Sequence, residues 1–145
     1  MKYFTITELT KSATAQRKGI KNTPSDEVRK SLTTLIEKVL DPLREAYGKP
    51  IVVNSGYRCP KLNAAVGGSA SSQHVKGEAA DIRSVADTPE ENKKLYDLIV
   101  KLKLPFDQLI NEYNFDWVHV SFGPRHRRQR LKAVKKNGRT SYLPA

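Results

Sequence analysis

The sequence contains one cysteine, Cys59, among its 145 residues. A lone thiol excludes an internal disulfide and excludes the zinc sites that are built from several cysteines. Any metal site must therefore use histidine, aspartate or glutamate. The chain also lacks an apolar run near the ~20 residues that span a bilayer, and its first residues, MKYFTITELTKS, lack the apolar core of a secretory signal. We therefore expect synthesis in the cytoplasm without a signal peptide.

Acidic residues are missing from the last part of the chain, although the formal net charge of the whole sequence is +11. The segment 125–145 contains these basic residues: Arg125, Arg127, Arg128, Arg130, Lys132, Lys135, Lys136 and Arg139. We expect a basic C-terminal tail that attracts a polyanion such as an anionic cell-wall polymer, a lipid headgroup or nucleic acid; a merely solvated tail is the alternative. No zinc-finger or recognition-helix signature is present, so specific nucleic-acid recognition is not expected.

The remaining residues, 1–124, have the length of one domain with its own core. Helix starts are predicted at Thr5, at Thr23-Pro24 and at Thr88-Pro89, and Pro42 is expected to kink the second of these helices. Short strands are predicted over residues 51–53, 79–83, 106–110 and 117–121, with mostly loop over 54–78. The expected fold class is α+β, with helices packed on a small antiparallel sheet.

Two of the predicted strands each carry one metal-type side chain. In WVHVS, Val118 and Val120 face one way and His119 the other, and in AADIR the alternation separates Asp81 from Ile82. His74 precedes Asp81 in a loop rich in small residues. Two histidines and one aspartate suit zinc with a fourth position open to water, although polar turns and surface histidines are the alternative.

The pattern Ser72-x-His74-x-x-Gly77-x-Ala79-x-Asp81, followed by Asp116-x-x-His119, resembles the signature of the M15 zinc peptidases. That family includes D-alanyl-D-alanine carboxypeptidases and phage L-alanyl-D-glutamate endolysins. The stretch Ser55-Gly56-Tyr57-Arg58 is similar to the arginine segment of the family. The resemblance runs from about residue 51 to residue 121 and implies a zinc domain of the hedgehog and D-Ala-D-Ala-peptidase type.

The resemblance implies a role for each matching residue. One Zn²⁺ ion would be held by His74, Asp81 and His119. Asp116 falls at the position of the general base, and Arg58 at that of the arginine that polarises the scissile carbonyl. Substrate-binding roles are expected for Ser72, Tyr57 and Trp117.

The implied function is zinc-dependent hydrolysis of amide bonds in peptidoglycan stem peptides, as a D-Ala-D-Ala carboxypeptidase or an L-Ala-D-Glu endopeptidase. A phage or prophage endolysin acting on the bacterial wall after release, with the basic tail held to that wall, fits the minimal length. A monomer is expected. The alternative is a non-catalytic zinc-binding structural or virion assembly module of the same fold.

Overall fold

The protein is an α+β structure in which helices cover one face of a six-stranded sheet. The computed structural model describes all residues, 1–145. The strands are β1 (Ile51–Ser55), β2 (Ala79–Ser84), β3 (Gln108–Glu112), β4 (Trp117–Ser121), β5 (Gln129–Lys136) and β6 (Arg139–Pro144). Their spatial order is β1-β2-β4-β3-β5-β6, and every neighbouring pair is antiparallel except β3 and β5, which run parallel. The predicted fold class is confirmed.

The helices are α1 (Ile6–Thr10), α2 (Ala13–Lys18), α3 (Asp26–Leu35), α4 (Asp41–Tyr47), α5 (Pro60–Ala65) and α6 (Pro89–Lys101). A π-helical turn, Ile36–Leu40, joins α3 to α4, and a 3₁₀ turn, Gln73–Lys76, precedes β2. The π-helical turn lies just before Pro42, where the kink is expected, and its wider backbone accommodates the proline ring. None of the helices is both long enough and apolar enough to cross a bilayer.

Capping side chains set where the helices begin. Thr5 and Thr88 accept hydrogen bonds from the backbone of Glu8 and Glu91, as predicted for α1 and α6. The start predicted at Thr23 is wrong by two residues, because Ser25 caps α3 instead and places acidic residues in its first turn. Helix α2 has no strong apolar period in the sequence and was not predicted.

The core lies between the helices and the inner face of the sheet. Its α3–α4 contribution consists of Leu32, Leu35, Ile36, Val39, Leu40 and Leu43, all fully buried. These residues recur at the spacing of one helical face, and they pack against Ile82, Val118 and Val120 of the sheet and against α6. The outer face of β2 and β4 is thereby left free to carry polar side chains.

The segment 125–145, expected to be a tail, contains all of β5 and β6 and extends the sheet. We call residues 129–144 the C-terminal hairpin. The hairpin pairs with β3 because β5 runs beside that strand from Gln108 to Glu112. Leu131, Ala133 and Lys135 share one face of β5, and the other face carries Arg130, Lys132, Val134 and Lys136, so basic residues lie on both faces of the strand.

Candidate metal centre and active site

The three predicted metal ligands meet on the outer face of the sheet. Asp81 on β2 lies directly opposite His119 on β4, and the His119 Nδ1 atom is 3.0 Å from Asp81 Oδ1. The Nε2 atom of His74 is 3.4 Å from Asp81 Oδ2. One ligand atom from each residue lies within 4.8 Å of the other two. The fold therefore joins residues that stand up to 45 positions apart in the sequence.

Two hydrogen bonds hold His74, one from its backbone and one from its ring. Its backbone N–H donates to Ser72 Oγ at 3.2 Å, which places Ser72 as the cap of the 3₁₀ turn. Its Nδ1 atom lies 2.7 Å from the carbonyl oxygen of Gly56. A carbonyl can only accept, so this bond keeps the proton on Nδ1 and leaves Nε2 free as a ligand atom. His74 is only 3% exposed.

Gly77 allows the turn that carries His74 to approach α3. Its φ angle is +71°, and a Cβ atom there would lie 2.8 Å from Val28 Cγ1 and 2.9 Å from the Val28 carbonyl oxygen. A side chain at this position would push the turn away from α3. The small residue is thus required by packing behind the site.

The donor set fits one zinc ion. Ligand atoms around a tetrahedral Zn²⁺ lie about 3–3.5 Å apart, close to the spacing between Asp81 and each of the two imidazoles. Burial by itself raises the pKa of Asp81, but the two imidazoles more than offset this and hold the pKa below its ordinary value. Two imidazoles and one carboxylate are donor types that zinc prefers.

Arg58 reaches the same face from the loop after β1. Its backbone N–H donates to the carbonyl oxygen of His74 at 3.1 Å, which ties this loop to the metal-ligand turn. Its Nε atom is buried without a hydrogen-bond partner. Burial lowers the pKa of Arg58, and the charge of Asp81 opposes that effect. The guanidinium therefore has an unused donor beside the metal ligands.

The structure adds Glu112, which the sequence did not single out. Glu112 is the last residue of β3, lies opposite Trp117 of β4, and shares the outer face with His119. It is 6% exposed, and burial raises its pKa to about 7, with the charge of Asp81 adding to the increase and that of His119 opposing it. The strand predicted over 106–110 ends two residues before the observed end of β3. Extending the alternation of the strand to residue 112 would have placed Glu112 on the same face as Ile110, which is the face of the site.

Asp116 lies farther out, in the turn between β3 and β4. Its side chain is exposed, and its backbone N–H donates to the carbonyl oxygen of Glu112 at 3.0 Å. The three preceding residues, 113–115, all have positive φ angles, a strained arrangement in residues other than glycine. Asn92 holds this turn by donating to the carbonyl oxygens of Phe115 and Asp116. Asp116 is thus fixed at the rim of the site.

The three predicted substrate-binding residues have different surroundings. Ser72 caps the turn of His74, as described above. Tyr57 is 7% exposed and packs in the hydrophobic core, so it does not form the expected pocket wall. Trp117 is partly exposed on the outer face, and its indole N–H is buried without a partner. Of the three, Trp117 offers a free donor next to the metal ligands.

Two grooves flank Trp117. The first has a volume of about 300 Å³ and is lined by Asn54, Arg83, Asp87, Pro89, Asn92, Phe115, Asp116 and Trp117. The second, of about 520 Å³, is lined by Tyr113, Asn114, Asp116, Trp117, Ala133, Val134 and Lys135. Asp116 and Trp117 line both grooves, whereas the three predicted ligands, Glu112 and Arg58 line neither, so the grooves reach the site only through the turn that carries Asp116 and Trp117.

Comparison with known proteins agrees with this geometry. Residues 2–121 match the family model described as Peptidase M15. The chain is also similar to the zinc D-Ala-D-Ala carboxypeptidase of Streptomyces albus G, with 48% identity over 44 residues, which is 30% of this chain and 17% of that protein. The chain thus aligns with only a small part of that relative. The family match covers the site and most of the sheet, and we conclude that the chain belongs to the peptidase M15 family.

Proposed function

We propose that the protein is a zinc-dependent peptidase that hydrolyses an amide bond in the stem peptides of peptidoglycan. The observation that carries this proposal is the convergence of His74, Asp81 and His119 beside the buried carboxylate of Glu112. The similarity to a protein named as a zinc D-Ala-D-Ala carboxypeptidase supports the substrate class.

The chain's own side chains suit each requirement of amide hydrolysis. Bound Zn²⁺ would supply Lewis acidity toward a water molecule and the scissile carbonyl. Glu112 accepts a proton from the attacking water and later donates it to the leaving amine, because a buried carboxylate beside the three predicted ligands can carry the proton between the two steps. Arg58 donates to the carbonyl oxygen as negative charge builds there.

We assign the general base to Glu112 and retain Asp116, the residue that the motif indicates, as the competing candidate. Glu112 is buried on the face of His119, whereas Asp116 is exposed at the rim. Burial raises the basicity of a carboxylate and protects the transferred proton from exchange with bulk water. An exposed carboxylate at the rim is better placed to contact the substrate.

The two assignments give opposite results in a pair of matched variants. Glu112→Gln is expected to lower kcat by about 10²–10⁴-fold, and Asp116→Asn by less than about tenfold, with one zinc bound per chain in both. The assay is digestion of purified peptidoglycan by the zinc-loaded protein, with released fragments identified by mass spectrometry. If Asp116→Asn alone abolished hydrolysis, Asp116 would be the base.

The fragments also identify the bond. New D-alanine indicates carboxypeptidase activity, and new termini between L-Ala and D-Glu indicate an endopeptidase. If zinc-loaded wild-type protein released neither, the non-catalytic zinc-binding module would be the correct interpretation. An endolysin role further requires that the protein lyse whole cells from outside once their wall is accessible.

We also propose that Arg128, Arg130 and Lys132 of the basic segment 125–145 hold the enzyme to an anionic wall polymer. Arg130 and Lys132 alternate with the residues of the site face on β5 and so point away from it. Sedimentation of the protein with walls should weaken steeply as salt rises, and should weaken after removal of the anionic polymer from those walls. Salt-independent sedimentation would contradict this role.

A further inference from the structure

The C-terminal hairpin lies outside the residues that match the family, which end at 121. Nevertheless, it continues the outer face of the sheet on which the metal ligands lie. Trp117, Glu112 and Ala133 occupy facing positions on β4, β3 and β5, and Tyr142 on β6 lies opposite Ala133. Facing residues of neighbouring strands share one side of a sheet. Tyr142 therefore lies on the same side as the site.

Ala133 is the smallest of these four facing residues and is fully buried. A methyl group between Glu112 and Tyr142 leaves room for the phenol ring to lean toward the site. The chemistry of Tyr142 agrees with this placement, because burial and then the charge of Glu112 raise its pKa. The residue as a whole remains 55% exposed, so it can still be covered by a ligand.

Lys135 lies two residues beyond Ala133 and therefore on the same side. Its Nζ atom is 5.7 Å from the centre of the Tyr113 ring, and it forms part of the second groove, next to Trp117. The ammonium group makes no salt bridge in the structure, so it remains available to an anion. Lys136, the next residue, is also exposed but points to the opposite side.

The hairpin is held firmly against the site. The hydroxyl of Tyr113 lies 2.5 Å from Thr140 Oγ1, and the backbone N–H of Tyr113 donates to the carbonyl oxygen of Ala133 at 3.0 Å. At the other end of β5, the side chain of Arg127 donates to Asp107. Contacts at both ends fix the position of Lys135 relative to Trp117.

We propose that the C-terminal hairpin forms a wall of the substrate cleft, in which Lys135 binds a carboxylate of the peptide substrate and Tyr142 packs against its backbone. The second groove offers aromatic and aliphatic surface for alanine side chains, and its two charged lining residues are Lys135 and Asp116, so a substrate carboxylate is directed to Lys135. Tyr142 does not line this groove but lies opposite its lining residue Ala133. A stem peptide contains both features. The inference takes its substrate, a stem peptide, from the proposed function. It adds Lys135 and Tyr142 as residues that determine substrate specificity.

The experiment uses the soluble stem peptide L-Ala-γ-D-Glu-L-Lys-D-Ala-D-Ala and two pairs of variants. Lys135→Glu is compared with Lys136→Glu, which makes the same change of charge on the opposite side of the strand. Tyr142→Ala is compared with Leu143→Ala, its exposed neighbour. Binding is followed by the fluorescence of Trp117, the only tryptophan, and turnover by release of fragments.

Lys135→Glu is expected to raise Kd and KM about five- to tenfold, as for loss of one charge-assisted contact, with kcat within twofold of wild type. Tyr142→Ala is expected to raise both about two- to tenfold. The two control variants should stay within twofold of wild type. Equal effects of Lys135→Glu and Lys136→Glu, or no effect of either, would overturn the proposal.

Two modified peptides identify the carboxylate. One contains D-isoglutamine in place of D-glutamate, and the other ends in a carboxamide. Wild-type protein should lose affinity for one of them, and Lys135→Glu should bind that peptide no worse than the unmodified one. If wild type bound both as tightly as the parent peptide, no carboxylate subsite would exist. A wild type that binds but does not hydrolyse would contradict the proposed function and leave the subsite intact.

Discussion

At the scale of single residues, Glu112 has the clearest physical signature outside the ligand trio. Its carboxyl is buried beside Asp81, so its charged form is costly in the protein before a metal ion binds. The sequence alone indicated Asp116 because the motif Asp116-x-x-His119 assigns the base by its spacing from the last histidine along the chain. The structure puts Glu112 on the face of His119, although it lies seven residues away, because β3 and β4 pair as a hairpin.

The raised pKa of Glu112 predicts how the stability of the metal-free protein depends on pH. The pKa rises from an ordinary value of 4.5 to about 7 on folding. Between these values the folded state holds more protons than the unfolded state, so the free energy of unfolding should fall as pH rises. Urea unfolding of the metal-free protein at several pH values measures this effect. In Glu112→Gln, the free energy of unfolding should fall less steeply with pH between 4.5 and about 7. An unchanged pH dependence would contradict the raised pKa of Glu112.

Gly56 is a second residue on which the site depends. Its carbonyl oxygen accepts from His74 Nδ1, and a Cβ atom at this position would lie 2.2 Å from the carbonyl oxygen of Leu9. Gly56→Ala is expected to cost about 1–3 kcal/mol and to weaken zinc binding about tenfold or more, since it displaces the carbonyl that orients His74. Thermal unfolding and zinc titration test both expectations.

Gly68→Ala serves as the control for that variant. A Cβ atom there would lie 2.1 Å from Asn63 Oδ1, so this variant introduces a clash of similar severity that does not involve the carbonyl oxygen bonded to His74. Its effect on zinc affinity should be less than twofold. Equal zinc affinities of the two variants would show that the Gly56 carbonyl does not orient the ligand.

At the scale of elements, Asp107 connects the metal-ligand turn with the C-terminal hairpin. The residue precedes β3 and is fully buried. Its carboxylate accepts from Gln73 Nε2, beside His74, and from the backbone and guanidinium of Arg127. The hydrogen bonds with Arg127 lower its pKa to about 2. One carboxylate thus fixes two elements that are far apart in the sequence.

Asp107→Ala is expected to destabilise the protein by about 2–3 kcal/mol, because it leaves a buried amide and an arginine without their acceptor. The half-exposed Lys93–Asp97 pair provides the control, and Asp97→Ala should cost less than about 1 kcal/mol. Denaturant titration at neutral pH measures both. Since the pKa of Asp107 is lowered, its contribution should persist above pH 3.8 and be lost as pH falls through about 2.

At the scale of the whole molecule, the hairpin completes the sheet. Without residues 125–145, β3 would become an edge strand with unpaired backbone groups, and Asp107 would lose Arg127. A chain that ends at residue 124 is therefore expected to be less stable than the full chain and to aggregate. Thermal unfolding and size-exclusion chromatography of both chains test this prediction. A truncated chain of equal stability would support the boundary predicted between a domain of residues 1–124 and a tail.

The sequence by itself determined the α+β class, the main capped helices and the strands that carry Asp81 and His119, and it predicted the trio His74, Asp81 and His119 as ligands. These features depend on local periodicity and on residue types, and both are present in the amino-acid sequence itself. Tertiary structure decided that Tyr57 is a core residue, that Glu112 faces the ligands, and that the basic segment pairs with β3. Each of these depends on which strands become neighbours, and pairing between distant segments is set by the packing of the whole core.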